Sequence, residues 1–423
     1  PTQPPGPFHA IPSPMNRILK PEPIRTTAEN EFAHRTMTHR LPKNIRNVIE
    51  AHPGYPESVK AGLEELASQM EGNAPIPEIP YPAWDGEEWE RAWTLRKGER
   101  WQDTDWFFGE TYGFRLLLSV VRYFETFIDP YGPMKERELE AGTPFLPVQR
   151  FFGAEGPGAA LREEQTPELG VAEILEDALH LSMWGNRADI SFHAGGEMDH
   201  SAGDRELLLA DQGAEAARLL ADNRKGVHIV MDNSGAEMAG DLVLALTVNK
   251  LTGAPVTMHL KFYPTYVSDT IVADVHNFLS AGDDHSDEVV RWFVDEVKAA
   301  LDEGRILLAP DPYWCETEFL SSMPPRIGRA LSEGALTIVK GDFNYRRAFR
   351  DTIWPADLPL AEAMGLSEGT AAARSMGETA WLFLRTMKSD VLVGVNRARA
   401  DRLDAEEPGW RTDGRRGVIQ FLP

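Results

Sequence analysis

Residues 227–235 read Val-His-Ile-Val-Met-Asp-Asn-Ser-Gly. Val227 to Met231 is a short, mostly apolar run of strand type, and Asp232-Asn233-Ser234-Gly235 follows it at once as a polar turn. A helical segment is expected next, from near Ala236 to Leu251. The same grammar recurs downstream. Pro255 to Phe262 is a second strand candidate, followed by Val267-Ser268-Asp269-Thr270 and a helix near Ile271 to Leu279. Ser286 to Leu301 is amphipathic, with Val289, Val290, Phe293, Val297 and Leu301 on one stripe. Ala335 to Val339 is a third strand and runs into Lys340-Gly341-Asp342-Phe343-Asn344-Tyr345-Arg346. Thr379 to Leu384 is a fourth and runs into Arg385-Thr386-Met387-Lys388, and Val418 to Leu422 is a last strand. Strands alternating with helices predict an α/β fold with a mainly parallel sheet covered on both faces. The carboxyl ends of parallel strands lie along one edge, where ligands bind, so these four polar motifs are expected to meet in one crevice.

The first half of the chain reads differently. Residues 1–30 form an extended, proline-rich arm, and residues 31–170 carry helical periodicity, as in Val59, Leu63, Leu66 and Met70 before Gly72. Tyr112 to Phe127 is apolar enough for one buried helix. Trp84, Trp89, Trp93, Trp101 and Trp106 form a cluster that suits a core or a contact between domains. The Gly-, Pro- and Glu-rich stretch Gly153 to Gly170 marks the expected boundary, after which residues 171–423 form the α/β catalytic domain. The helix beginning near Val171 is expected to end at Trp184 to Ser191, with Asn186 and Asp189 either lining the crevice or simply ending the helix. His193 and His200 do not have a metal-ligand spacing.

Composition excludes several classes. The net charge is −23, which repels nucleic acid and anionic membrane. It also repels phosphate esters, so a phosphate substrate needs a local reversal of field. The single cysteine, Cys315, can form neither an internal disulfide nor a thiolate zinc site. The proline-rich Pro1 to Pro14 lacks the apolar centre of a signal peptide, and there is no run of 18 apolar residues. A cytoplasmic enzyme acting on a small metabolite is the expectation.

Asp232 and Asn233 leave the first strand together, and Asp269 follows 37 residues on, one strand–helix–strand unit later. Two carboxylates and an amide oxygen make a hard oxygen site suited to Mg²⁺ or Mn²⁺, with open positions for water and phosphate. The same four residues, Asp232 to Gly235, also fit an ordinary turn and helix cap. Glu237 opens the next helix, to cap it or to orient the metal site, and Asp241 one turn on suits a helix face. Lys340, Arg346, Arg347, Arg385 and Lys388 supply the positive field, while Asp342 and Asn344 suit sugar hydroxyls.

Taken as an ordered set, the motifs around Asp232, Asp269, Asp342 and Lys388 resemble the metal-dependent damage-control phosphatases, in the subgroup with an Arg-Thr-x-Lys motif. The resemblance runs from about residue 38 onward. It implies a three-layer α/β/α domain preceded by a helical N-terminal domain, and Mn²⁺, Mg²⁺, Co²⁺ or Ni²⁺ as cofactor. It implies hydrolysis of fructose 1-phosphate or fructose 6-phosphate, with metal on Asp232, Asn233 and Asp269. Substrate contacts would fall on Asp342, Phe343, Asn344, Tyr345, Arg346 and Lys388. Glu237 and Asp269 match positions assigned to S-adenosylmethionine in a member described as an acidic residue methyltransferase.

Three alternatives stand beside this reading. A phospho-aspartate enzyme commonly uses Asp-x-Asp, and Ser234 occupies its second acidic position. A protein carboxyl methyltransferase usually carries a Gly-rich turn after its first strand, and no Gly-x-Gly-x-x-Gly is present. A non-catalytic sugar-phosphate sensor would keep the same residues without turnover.

Overall fold

The computed structural model describes residues 21–81, 83–163, 165, 169–185, 205–366, 376 and 379–423. Among these, seven strands form one sheet: β1 (Leu208–Asp211), β2 (Gly226–Val230), β3 (Val256–Lys261), β4 (Ile306–Asp311), β5 (Gly334–Lys340), β6 (Ala380–Thr386) and β7 (Gly417–Leu422). Their order is β1-β7-β6-β5-β2-β3-β4, and every neighbouring pair is parallel except β6 with β7. The five strands expected from the sequence are all present. β1 and the edge strand β4 were not anticipated; β4 carries Pro310, which an edge tolerates and a central strand does not.

Alternation along the central strands sends side chains into two cores. Val227, Ile229, Leu336, Ile338, Leu382 and Leu384 face one way, onto helices α4 (Val171–Trp184), α5 (Gly235–Thr252) and α7 (Glu288–Asp302), which follow α1 (Glu57–Glu71), α2 (Trp106–Val120), α3 (Gly132–Glu140) and, between α5 and α7, α6 (Val272–Asp283). Val230, Val339, Trp381, Phe383 and Val418 face the other way, into a core shared with α8 (Gly341–Ala348) and the helical N-terminal half. The result is a three-layer α/β/α body with helices added on one side. α5 is buried along nearly its whole length, including Glu237 and Asp241, because it is enclosed by the sheet and by neighbouring helices. It ends at Gly253, whose φ of 71° is the left-handed cap that glycine accepts without strain.

The expected single helix from Tyr112 to Phe127 is instead α2 followed by a break. Arg122 takes φ 60°, and a four-residue helix, Tyr123–Thr126, resumes beyond it. Trp89, Trp101 and Trp106 are buried as anticipated, and Trp84 is exposed. In the arm, Ile24 is buried. Its N–H donates to the Asp351 carbonyl at 2.8 Å, and its own carbonyl accepts from the Trp106 N–H at 2.8 Å. Among the described residues, no helix is long and apolar enough to cross a membrane.

One buried charge network ties the helical half to the sheet. The Arg346 guanidinium on α8 donates to Glu110 on α2 at 2.7 Å and to both oxygens of Asp351 at 2.7 and 3.1 Å. It lies 3.5 Å from the Trp106 ring centroid. Arg346→Met would leave the buried Asp351 unmatched and Glu110 with only Arg40 at 3.5 Å, and should destabilise the fold by about 3–5 kcal/mol. A urea midpoint unchanged from the parent would contradict this.

A second buried contact sets a pH dependence. His228 on β2 and His259 on β3 meet with Nδ1 and Nε2 3.0 Å apart, and Gly334 leaves room for the His228 ring. Burial pushes His228 down to about 4 and His259 down to about 3. Both folded values lie below the unfolded value of about 6.5, so the unfolded chain binds protons first as pH falls. Their contribution is complete above about pH 6.5 and is lost toward about pH 4, at roughly 2 kcal/mol per histidine by about pH 5. Unfolding free energy should therefore drop less between neutral pH and about pH 5 in the His228→Gln/His259→Gln variant than in the parent. Parallel pH profiles would exclude this role.

Candidate metal centre and phosphate site

The chain leaves β2 near the middle of the sheet, passes outward through β3 and β4, and returns to β5 on the other flank of β2. The order of strands thus reverses between β2 and β5, which is where an open parallel sheet opens a crevice at its carboxyl edge. Asp232 follows β2 there, and Gly341 follows β5. Gly341 has φ 79°, and a Cβ on it would collide with the Asp232 carboxylate.

Asp269 reaches the same point by a short antiparallel pairing. Thr270 N–H donates to the Asp232 carbonyl at 2.8 Å, Ser234 N–H donates to the Ser268 carbonyl at 2.7 Å, and Asn233 faces Asp269. The approach uses an unusual backbone: Tyr266 and Val267 have φ 49° and 71°, a left-handed region that a β-branched residue rarely enters. Tyr266 is held there by its hydroxyl, 2.7 Å from the Thr111 hydroxyl, and by its ring against Phe343 and Phe114. Asn344 pins the neighbouring strand end, donating to the Met231 carbonyl at 2.9 Å and the Lys340 carbonyl at 3.0 Å.

The three expected ligands are therefore adjacent. Asn233 Nδ2 donates to Asp232 Oδ2 at 3.0 Å and to Glu237 Oε2 at 2.9 Å, and Asn233 Oδ1 accepts from the Ser268 hydroxyl at 2.7 Å. Asp232 Oδ1 is buried with no hydrogen-bond partner among the described residues. Asp269 Oδ2 is also unmatched by an aligned hydrogen bond; it lies 3.2 Å from Lys261 Nζ in the geometry of an ion pair. Burial, then the charges of Asp269 and Glu237, push the Asp232 carboxyl well above its ordinary range. Burial pushes Asp269 up to about 6 against the pull of Lys261. Crowded buried carboxylates with orphaned oxygens are short of positive charge, and a hard divalent cation supplies it. Asp232, Asn233 and Asp269 fit such an ion by donor chemistry. Among the described residues, no three His, Cys, Asp or Glu side chains form a ready cage.

The basic residues are placed at the same edge, but most are already matched. Lys340 is paired with Asp241 at 2.8 Å rather than facing outward, and Asp241 is buried rather than on an exposed helix face. Arg346 is held by Glu110 and Asp351. Arg347 donates to the backbone carbonyls of Trp314, Glu316 and Glu318. Arg385 is fully buried, donates to Asp342 Oδ1 at 2.8 Å and to the Ser389 and Val391 carbonyls, and stacks on Tyr345. Burial would raise Asp342, but Arg385, Arg346 and the Lys388 N–H hold it below its ordinary value. Tyr345 turns inward to Gln420, and Phe343 stacks on Phe107. Lys388 differs from the others: it is half-buried, makes no ion pair among the described residues, and its charge acts on Asp232. Asn186 and Asp189 lie outside the described residues.

Lys261 was not singled out from the sequence. It ends β3, fully buried, between Asp269, the Trp314 carbonyl at 2.8 Å and the Phe343 ring at 4.2 Å, and burial lowers its pKa. Its signal was available, because a lone cation closing an apolar strand is the same signature that marks Lys340 and Arg385. Lys135 was also missed. It comes from α3 to donate to the Asp269 carbonyl at 3.2 Å and to Asp274 at 2.8 Å. A cavity of about 740 Å³ lies beside it, reaching Ser234 and Gly235 but neither Asp342 nor Lys388.

Comparison with known proteins identifies the family. Residues 36–403 match the damage-control phosphatase ARMT1-like domain. Proteins named damage-control phosphatase ARMT1 are similar along nearly the full chain. That of Danio rerio is 23% identical, covering 96% of this chain and 97% of its own; that of Bos taurus is 26% identical, covering 85% of each. That of Homo sapiens is 24% identical, covering 92% and 96%. Among solved structures, a DUF89 family protein of Pyrococcus horikoshii aligns with a TM-score of 0.45 at 12% identity, covering 93% of this chain and 98% of that one. With the domain match spanning most of its length, the chain belongs to the ARMT1-like damage-control phosphatase family.

Proposed function

We propose that this chain is a divalent-metal-dependent phosphatase that hydrolyses small sugar phosphates of the fructose 1-phosphate and fructose 6-phosphate type. The observation that carries the reading is the pair of buried, under-matched carboxylates, Asp232 and Asp269, beside Lys388, which makes no ion pair among the described residues. A group of this sign pattern would suit a phosphate ester, with a cation on the carboxylates and the lysine both supplying positive charge. The family names support phosphatase chemistry, and the sugar is the substrate class that the sequence resemblance implies.

Asp232, Asn233 and Asp269 would hold Mn²⁺, Mg²⁺, Co²⁺ or Ni²⁺. When bound, such an ion supplies Lewis-acid charge to a phosphoryl oxygen and makes a bound water more acidic. Lys388 neutralises charge on the remaining phosphoryl oxygens, the main electrostatic task in phosphoryl transfer. Asp232 or Asp269, each with a carboxylate oxygen that lacks a hydrogen-bond partner among the described residues, orients the attacking water in line with the leaving oxygen. Asp342 is held by Arg385 through Oδ1 and accepts a sugar hydroxyl through Oδ2. Arg346 and Arg385 serve by fixing these groups, since their own charges are matched within the fold.

Phosphate release from a panel of sugar phosphates, with each of the four metals in turn, is the decisive assay. Asp232→Asn should remove metal-dependent turnover while the protein stays folded, and Lys388→Ala should lower kcat/KM by about 100- to 1,000-fold. Full activity of Asp232→Asn, or of the parent in chelator, would end the proposal. Sugar-phosphate binding without turnover would make the chain a sensor, and methyl transfer from S-adenosylmethionine without phosphate release would make it a methyltransferase.

Protonation competes with the metal. Asp269 sits at about 6, and a ligand must be deprotonated to bind, so Mn²⁺ affinity should be high above that pH and fall as pH drops through it. Calorimetric titration with Mn²⁺ across this range reads the effect directly. A flat affinity profile would contradict the assignment of Asp269.

A further inference from the structure

Lys340 and Asp241 occupy positions where charge is costly. Both are fully buried, and an ion pair removed from water is retained only with good geometry and further hydrogen bonds. That geometry is present. Lys340 Nζ is 2.8 Å from Asp241 Oδ1 and 3.6 Å from Glu237 Oε1, and it donates to the Ser182 hydroxyl at 2.9 Å and to the Ser182 carbonyl. The Ser182 hydroxyl donates in turn to Asp241 Oδ1 at 2.7 Å. Glu237 and Asp241 stand one turn apart on α5, so both face Lys340. α4 can bring Ser182 this close because Gly240 lies against its backbone, and a Cβ on Gly185 would stand 2.8 Å from the Glu237 Cα.

Beyond Glu237 the chain of contacts ends on Asn233. Both hydrogens of the Asn233 amide are used, one on Glu237 and one on Asp232. Its oxygen is therefore turned toward the Ser268–Asp269 strip. The two ends of an asparagine amide are nearly the same size, and only hydrogen bonding decides which end meets a cation.

We propose that Lys340 and Asp241 are positioning residues whose buried ion pair anchors Glu237, which fixes the Asn233 amide with its oxygen presented as a metal ligand. This rests on the reading of Asp232, Asn233 and Asp269 as the metal set. Groups that orient ligands in this way set metal affinity by about 10- to 100-fold. Lys340 does so from the end of β5, where the next residue, Gly341, abuts Asp232. One strand end thus steers two members of the set.

The test uses the full chain, with Mn²⁺ binding followed by the electron paramagnetic resonance signal of free Mn²⁺ and with thermal unfolding in chelator. Lys340→Met should weaken Mn²⁺ binding by about 10- to 100-fold and lower the metal-free Tm. The Lys340→Met/Asp241→Leu variant should regain most of that Tm, because both buried charges leave together, yet still bind Mn²⁺ weakly. Lys340→Arg should recover part of the affinity. Parent-like Mn²⁺ affinity in the double variant overturns the inference, and the double variant carries the test if Lys340→Met does not fold. A parent chain that binds no Mn²⁺ overturns the metal set itself, and this inference with it, in a separate sample.

Discussion

The site depends on one small pairing, the antiparallel contact of Asp232–Ser234 with Ser268–Thr270. Strands β2 and β3 are parallel, so their exits would ordinarily diverge into separate helices. Instead the segment after β3 turns back through a left-handed pair, Tyr266 and Val267, and lays Asp269 beside Asn233. Two buried carboxylates are thereby held together. Burial is the main cause of both the raised Asp232 and the lowered Lys261; the enforced proximity of Asp269 adds to the first shift and opposes the second.

Most of the basic residues at this edge are matched within the fold. Lys340, Arg346 and Arg385 are each locked to carboxylates or carbonyls, and their work is to fix backbone and side chains. Against this matched background, Lys388 is half-buried with no ion pair among the described residues, and the carboxylates of Asp232 and Asp269 are under-neutralised. A few unmatched groups in low dielectric count for more than many solvated ones.

The carboxyl edge was legible in the sequence because it depends only on strand assignment, and apolar runs such as Val227 to Met231 and Ala335 to Val339 signal strands strongly. Strand assignment alone therefore expects Asp232, Asp269, Asp342 and Lys388 along one edge. The pairing of charges was not legible. Lys340 and Asp241 are separated by 99 residues, and Arg346 and Glu110 by 236, so nothing local in the sequence records that each pair meets. The break at Arg122 was equally hidden, since an apolar run shows no periodic fault where the backbone turns left-handed. Edge strand β4 escaped because its proline weakened the strand pattern.

The Trp106–Arg346–Glu110 stack has a bearing on how this protein can be divided. The guanidinium belongs to the helix that follows β5, while its cover and one of its counter-ions come from a helix more than two hundred residues earlier. A fragment beginning at the sheet would expose that arginine and leave Phe343 and Tyr266 without Phe107 and Phe114. The helical half is thus no detachable accessory, and gene fusions, truncations or exchanges that separate the two halves would strip the carboxyl edge of part of its scaffold.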